Sequence, residues 1–197
     1  MHMNNKLSMR KMQAIRTKEN IIKTAIRLAA KKGIDGFTVR DICSAVNISI
    51  GNFYHYFRSK DDVLLHTRQV YDKRILSKIK KIENNDIVQL IITIYEARAS
   101  FVLERPIEES NVLYILNLKN ASNNNRHEYI VDAYILDILR RAKENSKIKS
   151  SLTAEEILSM LNTIYHGCCY EYIANNGNYD LLMHLRCLAR HLDTYLP

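Results

Sequence analysis

The sequence predicts an all-α protein of about nine helices. Its 197 residues include only five Gly and two Pro, so few positions favour turns or interrupt helices. Apolar residues recur at the three- and four-residue spacing of helices, and capping residues such as Thr38, Asp86 and Thr153 precede several of these stretches. No stretch has a convincing strand pattern. A hydrophobic fraction of 47% is enough to build a real core.

Residues 37–60 contain two short helices joined by a tight turn. Thr38 and Asp41 have the spacing of a capping box, which satisfies free N–H groups at the start of a helix. Asn47 would end this helix, because Asn tolerates the left-handed conformation that a tight turn needs. The apolar face of this helix is formed by Ile42, Cys43 and Val46. Ile48 would fill the corner, and Ser49 would cap the next helix.

The second short helix, Ile50 to Tyr56, has one apolar and one polar side. Phe53 and Tyr56 would face the core. The opposite face has short or polar groups that can approach a base edge or a phosphate, namely Ile50, Gly51, Asn52, Tyr54 and His55. Two short helices with a three-residue turn and these packing positions are typical of a helix-turn-helix, which places its second helix in the major groove of DNA.

A helix on either side completes the predicted N-terminal unit. We expect the first helix from Thr17 to Lys32, with Gly33 as its C-terminal cap. Residues 1–16 would form a mobile basic tail, which either adds phosphate contacts or has no role. A long helix would run from Ser59 to about Glu83, with Ser59 and Asp62 as a second capping box. We place the domain boundary after residue 62, so residues 63–197 would form a regulatory and dimerisation domain.

The remaining helices follow from caps and breakers. Asp86 would begin a helix that ends near Glu104, before Pro106. Thr153, with Glu156 three residues later, would begin another that ends at Asn175. The other predicted helices cover residues 108–119, 126–145 and 179–196, with a polar loop at 121–125.

The charge is divided unevenly along the chain. Residues 1–82 contain 18 Lys and Arg against 6 Asp and Glu, whereas residues 83–197 contain 11 against 15. A basic N-terminal part beside a mildly acidic remainder favours a nucleic-acid binder that carries a second module. The alternative is that the Lys residues only solvate helix faces.

The same stretch resembles the DNA-binding segment of the TetR family of bacterial transcription regulators, over about residues 17 to 65. The matching residues are Thr38, Arg40-Asp41-Ile42, Ser49, Gly51, Phe53-Tyr54, Tyr56-Phe57 and Ser59-Lys60. The sequence departs from the family at Asn47, usually Gly, and at Cys43, usually Ala, and both substitutes suit the local geometry. The resemblance implies a one-component regulator, expected to be a repressor that binds an inverted-repeat operator in double-stranded DNA as a homodimer.

Ten residues are predicted to contact DNA: Thr38, Arg40, Ser49, Ile50, Gly51, Asn52, Tyr54, His55, Tyr56 and Lys60. The resemblance implies that Arg40, Ile50, Gly51 and Tyr56 lie near bases. It implies phosphate contacts for Thr38, Asn52, Tyr54 and Lys60. Chemistry alone also allows Asn52 to pair with an adenine edge, so its partner stays open.

Two further sites are expected in the C-terminal part. A dimer interface would use apolar stripes on the last two helices, Ile157, Leu161, Ile164 and Cys168 with Leu181, Leu185, Leu188 and Leu192. A pocket for an unknown, partly apolar effector would be lined by some of Tyr95, Arg98, Tyr114, Tyr134, Tyr165, Cys168 and Tyr172. Core packing is the alternative explanation for most of these Tyr residues.

Other chemistry finds little support in the sequence. His184, Cys187 and His191 share one helix face, but packing explains them better than a metal site does. No phosphate loop, nucleophile elbow or zinc-protease motif is present, so we expect neither an enzyme nor a cofactor. Without an apolar run of membrane length or a secretory signal, we expect a cytoplasmic protein with no membrane partner. Two alternatives remain, a ligand-independent or architectural DNA-binding protein, and an all-helical metal- or small-molecule-binding protein.

Overall fold

The computed structural model describes residues 2–83, 86–122 and 130–187, and every regular element in these ranges is a helix. The helices are α1 (His2–Lys32), α2 (Val39–Val46), α3 (Ile50–Tyr56), α4 (Lys60–Ile79), α5 (Ile87–Leu103), α6 (Ile107–Ser122), α7 (Ile130–Glu144) and α8 (Ala154–Ala174). A ninth helix, α9, begins at residue 181 and is described as far as residue 187. The all-α prediction is confirmed.

The chain divides into two compact units. Unit 1 comprises Met1–Val70 with Asn111–Asn117, and unit 2 comprises Tyr71–Ser110 with Leu118–Pro197. Helices α4 and α6 therefore contribute residues to both units. The domain boundary that we placed after residue 62 stays a prediction.

Unit 1 is built around a small apolar core that α1 to α4 share. Phe53 of α3 is fully buried and packs with Ile21 of α1 and Ile42 of α2. Val63 and Leu64 of α4 are also fully buried, and Val112 of α6 completes the cluster. This core fixes α2 and α3 against the longer helices α1 and α4.

The first helix is longer than we predicted. It begins at His2, so the expected mobile tail over residues 1–16 is wrong. Residues 2–16 contain neither Gly nor Pro and are rich in Met, Lys and Arg, which favour helices. Met9, Met12 and Ile15 of this extension are exposed.

Unit 2 has a larger core, formed by α5, α7, α8 and α9 with the end of α4. Fully buried Ile91 and Ile94 of α5 pack with Leu139 of α7 and Ile157 of α8. The predicted caps of unit 2 are present. The Asp86 side chain accepts from the backbone N–H groups of Val88 and Gln89 at the start of α5. Thr153 and Glu156 likewise form the predicted capping box at the start of α8. Helix α4 ends at Ile79, a little earlier than expected.

No helix in the described part of the chain is both long and apolar enough to cross a membrane.

Candidate functional site

The start of α2 is fixed by a network of short hydrogen bonds. The Asp41 carboxylate accepts from the Thr38 backbone N–H at 2.8 Å and from its hydroxyl at 2.6 Å, and the Thr38 Oγ1 accepts from the Asp41 N–H. The Lys32 ammonium pairs with the other carboxylate oxygen at 2.9 Å. These bonds from Thr38 and Lys32 hold the pKa of Asp41 well below its usual range. The predicted capping box is therefore confirmed. The ion pair between Lys32 and Asp41 joins the end of α1 to the start of α2.

The turn between α2 and α3 has the predicted geometry. Asn47 adopts the left-handed conformation, with φ 57° and ψ 52°, and Ile48 donates its N–H to the Cys43 carbonyl. The Ser49 Oγ then accepts from the Asn52 N–H at 3.1 Å and caps α3. Local hydrogen bonds thus set the angle at which α3 leaves α2.

Helix α3 has one buried side and one exposed side. Phe53 has no exposed surface, and its ring meets the Tyr54 ring edge-on at 5.5 Å. On the outer side Ile50 is 42% exposed and Tyr54 is 56% exposed, and His55 is exposed beside them. Tyr56, which we expected to be buried, is half-buried.

Gly51 lies on this outer side, and nothing in its own chain requires a glycine there. A Cβ added to Gly51 would meet only the Ser49 Oγ, at 4.0 Å. Glycine in a helix costs up to about 1 kcal/mol relative to alanine. A glycine of this kind is expected where another molecule must approach the backbone closely.

The other predicted DNA contacts lie around α3. Thr38, Arg40 and Ser49 are exposed, and Asn52 is half-buried. Lys60 is also half-buried, and its Nζ donates to the Ile34 carbonyl at 3.0 Å and to the Phe37 carbonyl at 3.1 Å. The ammonium further lies 5.0 Å from the centre of the Phe37 ring. Lys60 therefore also fastens the loop between α1 and α2, a role that its sequence position did not indicate.

A second set of predicted residues converges inside unit 2. The Arg98 guanidinium lies 4.9 Å from the Tyr95 ring centre and 4.5 Å from the Tyr165 ring centre. Tyr95 and Tyr165 also meet edge to face at 5.6 Å. All three residues are buried, so a charged group from α5 lies between aromatic rings from α5 and α8.

Three polar partners of this cluster were missed in the sequence. The Asn162 Oδ1 accepts from the Tyr95 hydroxyl at 2.9 Å and from the Arg98 Nη1 at 3.0 Å, and an Asp132 oxygen lies 3.3 Å from the same Nη1. Arg105, which acts electrostatically on Tyr165 and whose guanidinium lies 4.2 Å from the Tyr71 ring centre, is the third. Asn162 precedes Tyr165 by three residues on one helix face, a spacing that could have identified it.

Comparison with known proteins identifies the N-terminal region. The model of the family described as bacterial regulatory proteins, tetR family, matches residues 21–67, which include α2, the turn and α3. The N-terminal region of the chain is therefore similar to the TetR family.

Two related sequences illustrate how far the similarity extends. The HTH-type transcriptional regulator YerO of Bacillus subtilis is 46% identical over 68 residues, covering 34% of this chain and 24% of that protein. IcaR of Staphylococcus aureus, a negative transcriptional regulator of the biofilm operon icaADBC, is 29% identical over 110 residues, covering 53% of this chain and 54% of IcaR. The match thus spans about a quarter of the length of YerO and about half of the length of IcaR.

Solved structures extend the fold similarity to most of the chain. The fatty acid degradation regulator FadR of Bacillus halodurans matches with a TM-score of 0.78 at 19% identity, covering 89% of this chain and 93% of that one. FadR of Bacillus subtilis, solved in complex with stearoyl-CoA, matches with a TM-score of 0.75 at 18% identity, covering 91% and 99%. At this identity the match shows a common fold.

The remaining predicted pocket residues do not all join the cluster in unit 2. Tyr114 belongs to unit 1. Tyr134 lies under the Lys80 ammonium, and Tyr172 contacts the Gly177 position. Cys168 is buried beside Cys169, and burial raises the pKa of the Cys169 thiol to about 11, so both thiols favour a packing role.

The predicted dimer stripe is buried inside its own chain. Ile157, Leu161 and Cys168 of α8, with Leu181 and Leu185 of α9, are at most 6% exposed and belong to the core of unit 2. They are therefore unavailable as an exposed dimer face, because α5 and α7 already cover them. Ile164 is half-buried, and Leu188 and Leu192 lie outside the described residues.

The residues on the outer surfaces of α8 and α9 are not those of the predicted dimer stripe. Exposed positions on one side of α8 are Ser159, Thr163, Gly167, Tyr170 and Ala174, at the spacing of one helix face. On α9 Met183 and Cys187 are exposed, four residues apart. We call these seven residues the outer face of α8 and α9.

His184 has a packing role. Its ring stacks on Tyr179, with ring centres 4.1 Å apart, and its Nδ1 lies 2.8 Å from the Asp180 carbonyl oxygen. His191 lies outside the described residues, and the described ones contain no cluster of three metal-ligating side chains.

Proposed function

We propose that the protein is a transcriptional regulator that binds operator DNA through α3. The observation that carries this proposal is the outer side of α3, where exposed Ile50, Tyr54 and His55 surround Gly51. Any side chain at Gly51 would have open space within the chain, so the glycine favours close contact with a groove. The TetR-family match over residues 21–67 supports the same reading.

The residues around α3 have chemistry that suits the two kinds of DNA contact. The exposed guanidinium of Arg40 can donate two hydrogen bonds to a guanine edge. Asn52 can bind an adenine edge or a phosphate. Lys60 donates to two carbonyl oxygens, and because an ammonium has three N–H groups, one remains for a phosphate.

Binding selection on randomised duplexes tests this docking. We expect the wild type to recover an inverted repeat with half-sites about one helical turn or slightly more apart. Arg40→Ala should weaken operator binding by roughly 1–3 kcal/mol and relax the base preference at one base pair per half-site. Lys60→Ala should weaken binding to all sequences alike and lower the salt dependence of binding. Arg140→Ala, an exposed arginine of unit 2, is the matched control.

The Gly51→Ala variant distinguishes an effect on DNA affinity from an effect on folding stability. The added methyl group should raise helix stability, because open space surrounds it, but should lower affinity for the selected operator. Recovery of no inverted repeat, equal loss of preference in the Arg40 and Lys60 variants, or unchanged affinity of Gly51→Ala would contradict the docking.

The same proposal includes a homodimer that forms through the outer face of α8 and α9. Gly167 lies in mid-helix, and a Cβ added there would meet nothing within 4 Å in its own chain. Ser159 and Thr163 continue a surface of small side chains, and exposed Tyr170 and Met183 add apolar area. Such a face lets two helices approach closely and then bury apolar surface.

Sedimentation of two Arg variants tests the dimer. Gly167→Arg should give monomers at micromolar concentration, while Ala133→Arg, at an exposed position of α7, should leave the dimer intact. A monomeric wild type, or a Gly167→Arg protein that still dimerises, would overturn this part of the proposal.

Finally, the regulator is proposed to be a ligand-responsive repressor. IcaR is named a negative regulator, and the FadR structure from B. subtilis contains stearoyl-CoA, which together support repression that a partly apolar effector relieves. The effector must bind the DNA-free form better than the DNA-bound form. In a transcription assay with the selected operator, the protein should lower transcript yield, and an effector should restore it.

A further inference from the structure

Arg98 is the buried charge around which the inner part of unit 2 is arranged. The residue is 8% exposed, although arginine is seldom buried without full pairing. It comes from the middle of α5 and meets Asp132 of α7 with Asn162 and Tyr165 of α8. Its pKa lies above the usual value, because the oxygen atoms of Tyr95, Tyr165 and Asp132 outweigh the effect of burial. Arg98 is therefore a fixed positive charge.

The protein satisfies this charge incompletely. Within the described residues the Arg98 Nη1 donates to the Asn162 Oδ1, an acceptor that it shares with the Tyr95 hydroxyl, and the guanidinium also interacts with the Tyr95 oxygen. Asp132 lies 3.3 Å from the same nitrogen, yet its buried Oδ1 has no hydrogen-bond partner. A guanidinium has five N–H groups, and a buried ion pair is favourable only when such groups are satisfied.

A second arginine acts on the same cluster. Arg105 is half-buried, and with Arg98 it acts electrostatically on both Tyr165 and Cys169. Half-buried Asp132 pairs with Arg98, and half-buried Glu109 and exposed Glu104 act electrostatically on Arg105. Among these charged groups of the described residues Arg98 alone is buried, so its guanidinium would attract an anion.

We propose that the effector bound in unit 2 is an anion attached to an aromatic or other flat apolar body. Its carboxylate, sulfonate or phosphate would accept from the guanidinium edge of Arg98 that Asp132 does not occupy. The rings of Tyr95 and Tyr165 would contact the apolar body. This inference rests on the proposed function, because it names the chemical class of the effector.

Two dyes that differ by one charged group provide the probe. 8-Anilinonaphthalene-1-sulfonate is anionic, and N-phenyl-1-naphthylamine has the same rings without the sulfonate. Fluorescence titration of the full-length wild type should show the anionic dye binding about tenfold or more tightly than the neutral one. Arg98→Gln should remove most of that difference and leave the affinity for the neutral dye unchanged.

Two further variants keep the test independent of folding. Arg98→Lys retains the charge and should retain part of the preference for the anionic dye. Arg140→Gln removes an exposed arginine that pairs with Glu155 in the same unit, and it should change neither affinity. Circular dichroism should give the same helix content for all variants. Equal affinity of the wild type for both dyes, or an unchanged preference in Arg98→Gln, would overturn the inference.

Gel shifts with the selected operator separate this result from the proposed function. Arg98→Gln should still bind the operator, because Arg98 lies in unit 2, but the anionic dye should no longer release it. If no duplex is selected while the dye preference depends on Arg98, the anion site stands and the regulatory function fails. If the operator binds and the dyes bind equally, the anion site alone fails.

Discussion

The two units of the molecule place their polar residues in opposite ways. In unit 1 the core contains apolar side chains such as Phe53 and Ile42, and the polar groups of α2 and α3 point outward or cap helix ends. In unit 2 Arg98, Asp132 and Asn162 lie among the core helices. A partner as large and rigid as DNA must be met on an outer surface, whereas a small molecule can be enclosed. The difference in placement is consistent with the two kinds of partner that we propose.

The units also differ in what fixes their helices. Helices α2 and α3 have 8 and 7 residues, too short to be stable alone, and depend on caps at Thr38 and Ser49. Helices α5 and α8 have 17 and 21 residues and are fixed mainly by packing across the core. We therefore expect single substitutions at caps or core positions to lower the stability of unit 1 strongly. In unit 2 the effect of one substitution should be smaller, because packing involves more residues.

The largest expected effect is loss of the unit 1 core. Phe53→Ala removes a fully buried aromatic side chain that packs with α1, α2 and α4, and should lower the free energy of unfolding by about 3–5 kcal/mol. Urea denaturation followed by circular dichroism measures the change. Tyr54→Ala, whose side chain is 56% exposed, is the control and should change stability little. Equal losses in the two variants would contradict the assigned faces of α3.

Lys60 tests whether one residue serves both folding and DNA contact. Lys60→Met keeps the apolar stem but leaves the Ile34 and Phe37 carbonyls without their donor, which should cost about 1–3 kcal/mol of stability. Arg40→Met is the comparison variant, because it changes an exposed side chain of the same unit. Arg40→Met should weaken DNA binding without lowering the unfolding midpoint. If Lys60→Met is as stable as the wild type, its two hydrogen bonds contribute nothing to unit 1.

A smaller effect is expected at the α2 cap. Thr38→Ala removes the oxygen that accepts from the Asp41 N–H, and should lower stability by about 1 kcal/mol. Ser151→Ala, at an exposed loop position of unit 2, is the control.

The same cap predicts a pH dependence of definite sign. Because the folded state lowers the pKa of Asp41, its contribution should be complete above the unfolded pKa, near 4, and should decline as the pH falls towards the lower native pKa. Asp41→Asn should be less stable than the wild type at pH 6, and the difference should shrink towards pH 2. A difference that grows on acidification would contradict the network at Thr38.

The sequence predicted unit 1 well because its signals are local. Thr38, Asp41, Asn47 and Ser49 act within three or four residues of their own positions, so spacing alone identified the caps and the turn. The extension of α1 was missed, because a basic N-terminal stretch was read as a tail although its residues favour helix.

Unit 2 was harder to predict because the same pattern fits two structures. An apolar stripe such as Ile157, Leu161 and Leu185 has the spacing of a dimer seam and equally that of a core face. Which one it forms depends on whether α5 and α7 cover it, and that is a property of the tertiary fold. For the same reason Arg98 was predicted without Asp132, which lies on a different helix.

The smallest expected effect compares a glycine on each unit's outer surface. Gly51 and Gly167 are both helical, and a Cβ at either position would have open space in its own chain. Alanine should therefore stabilise the isolated fold by roughly 0.5–1 kcal/mol at both sites. For Gly51→Ala the gain should be independent of protein concentration, since its proposed partner is DNA. For Gly167→Ala the gain should appear at low concentration and diminish as the dimer forms, because the methyl group separates the paired helices. Denaturation over a hundredfold range of protein concentration measures this difference, and a constant gain for Gly167→Ala would mean that α8 does not pair through this face.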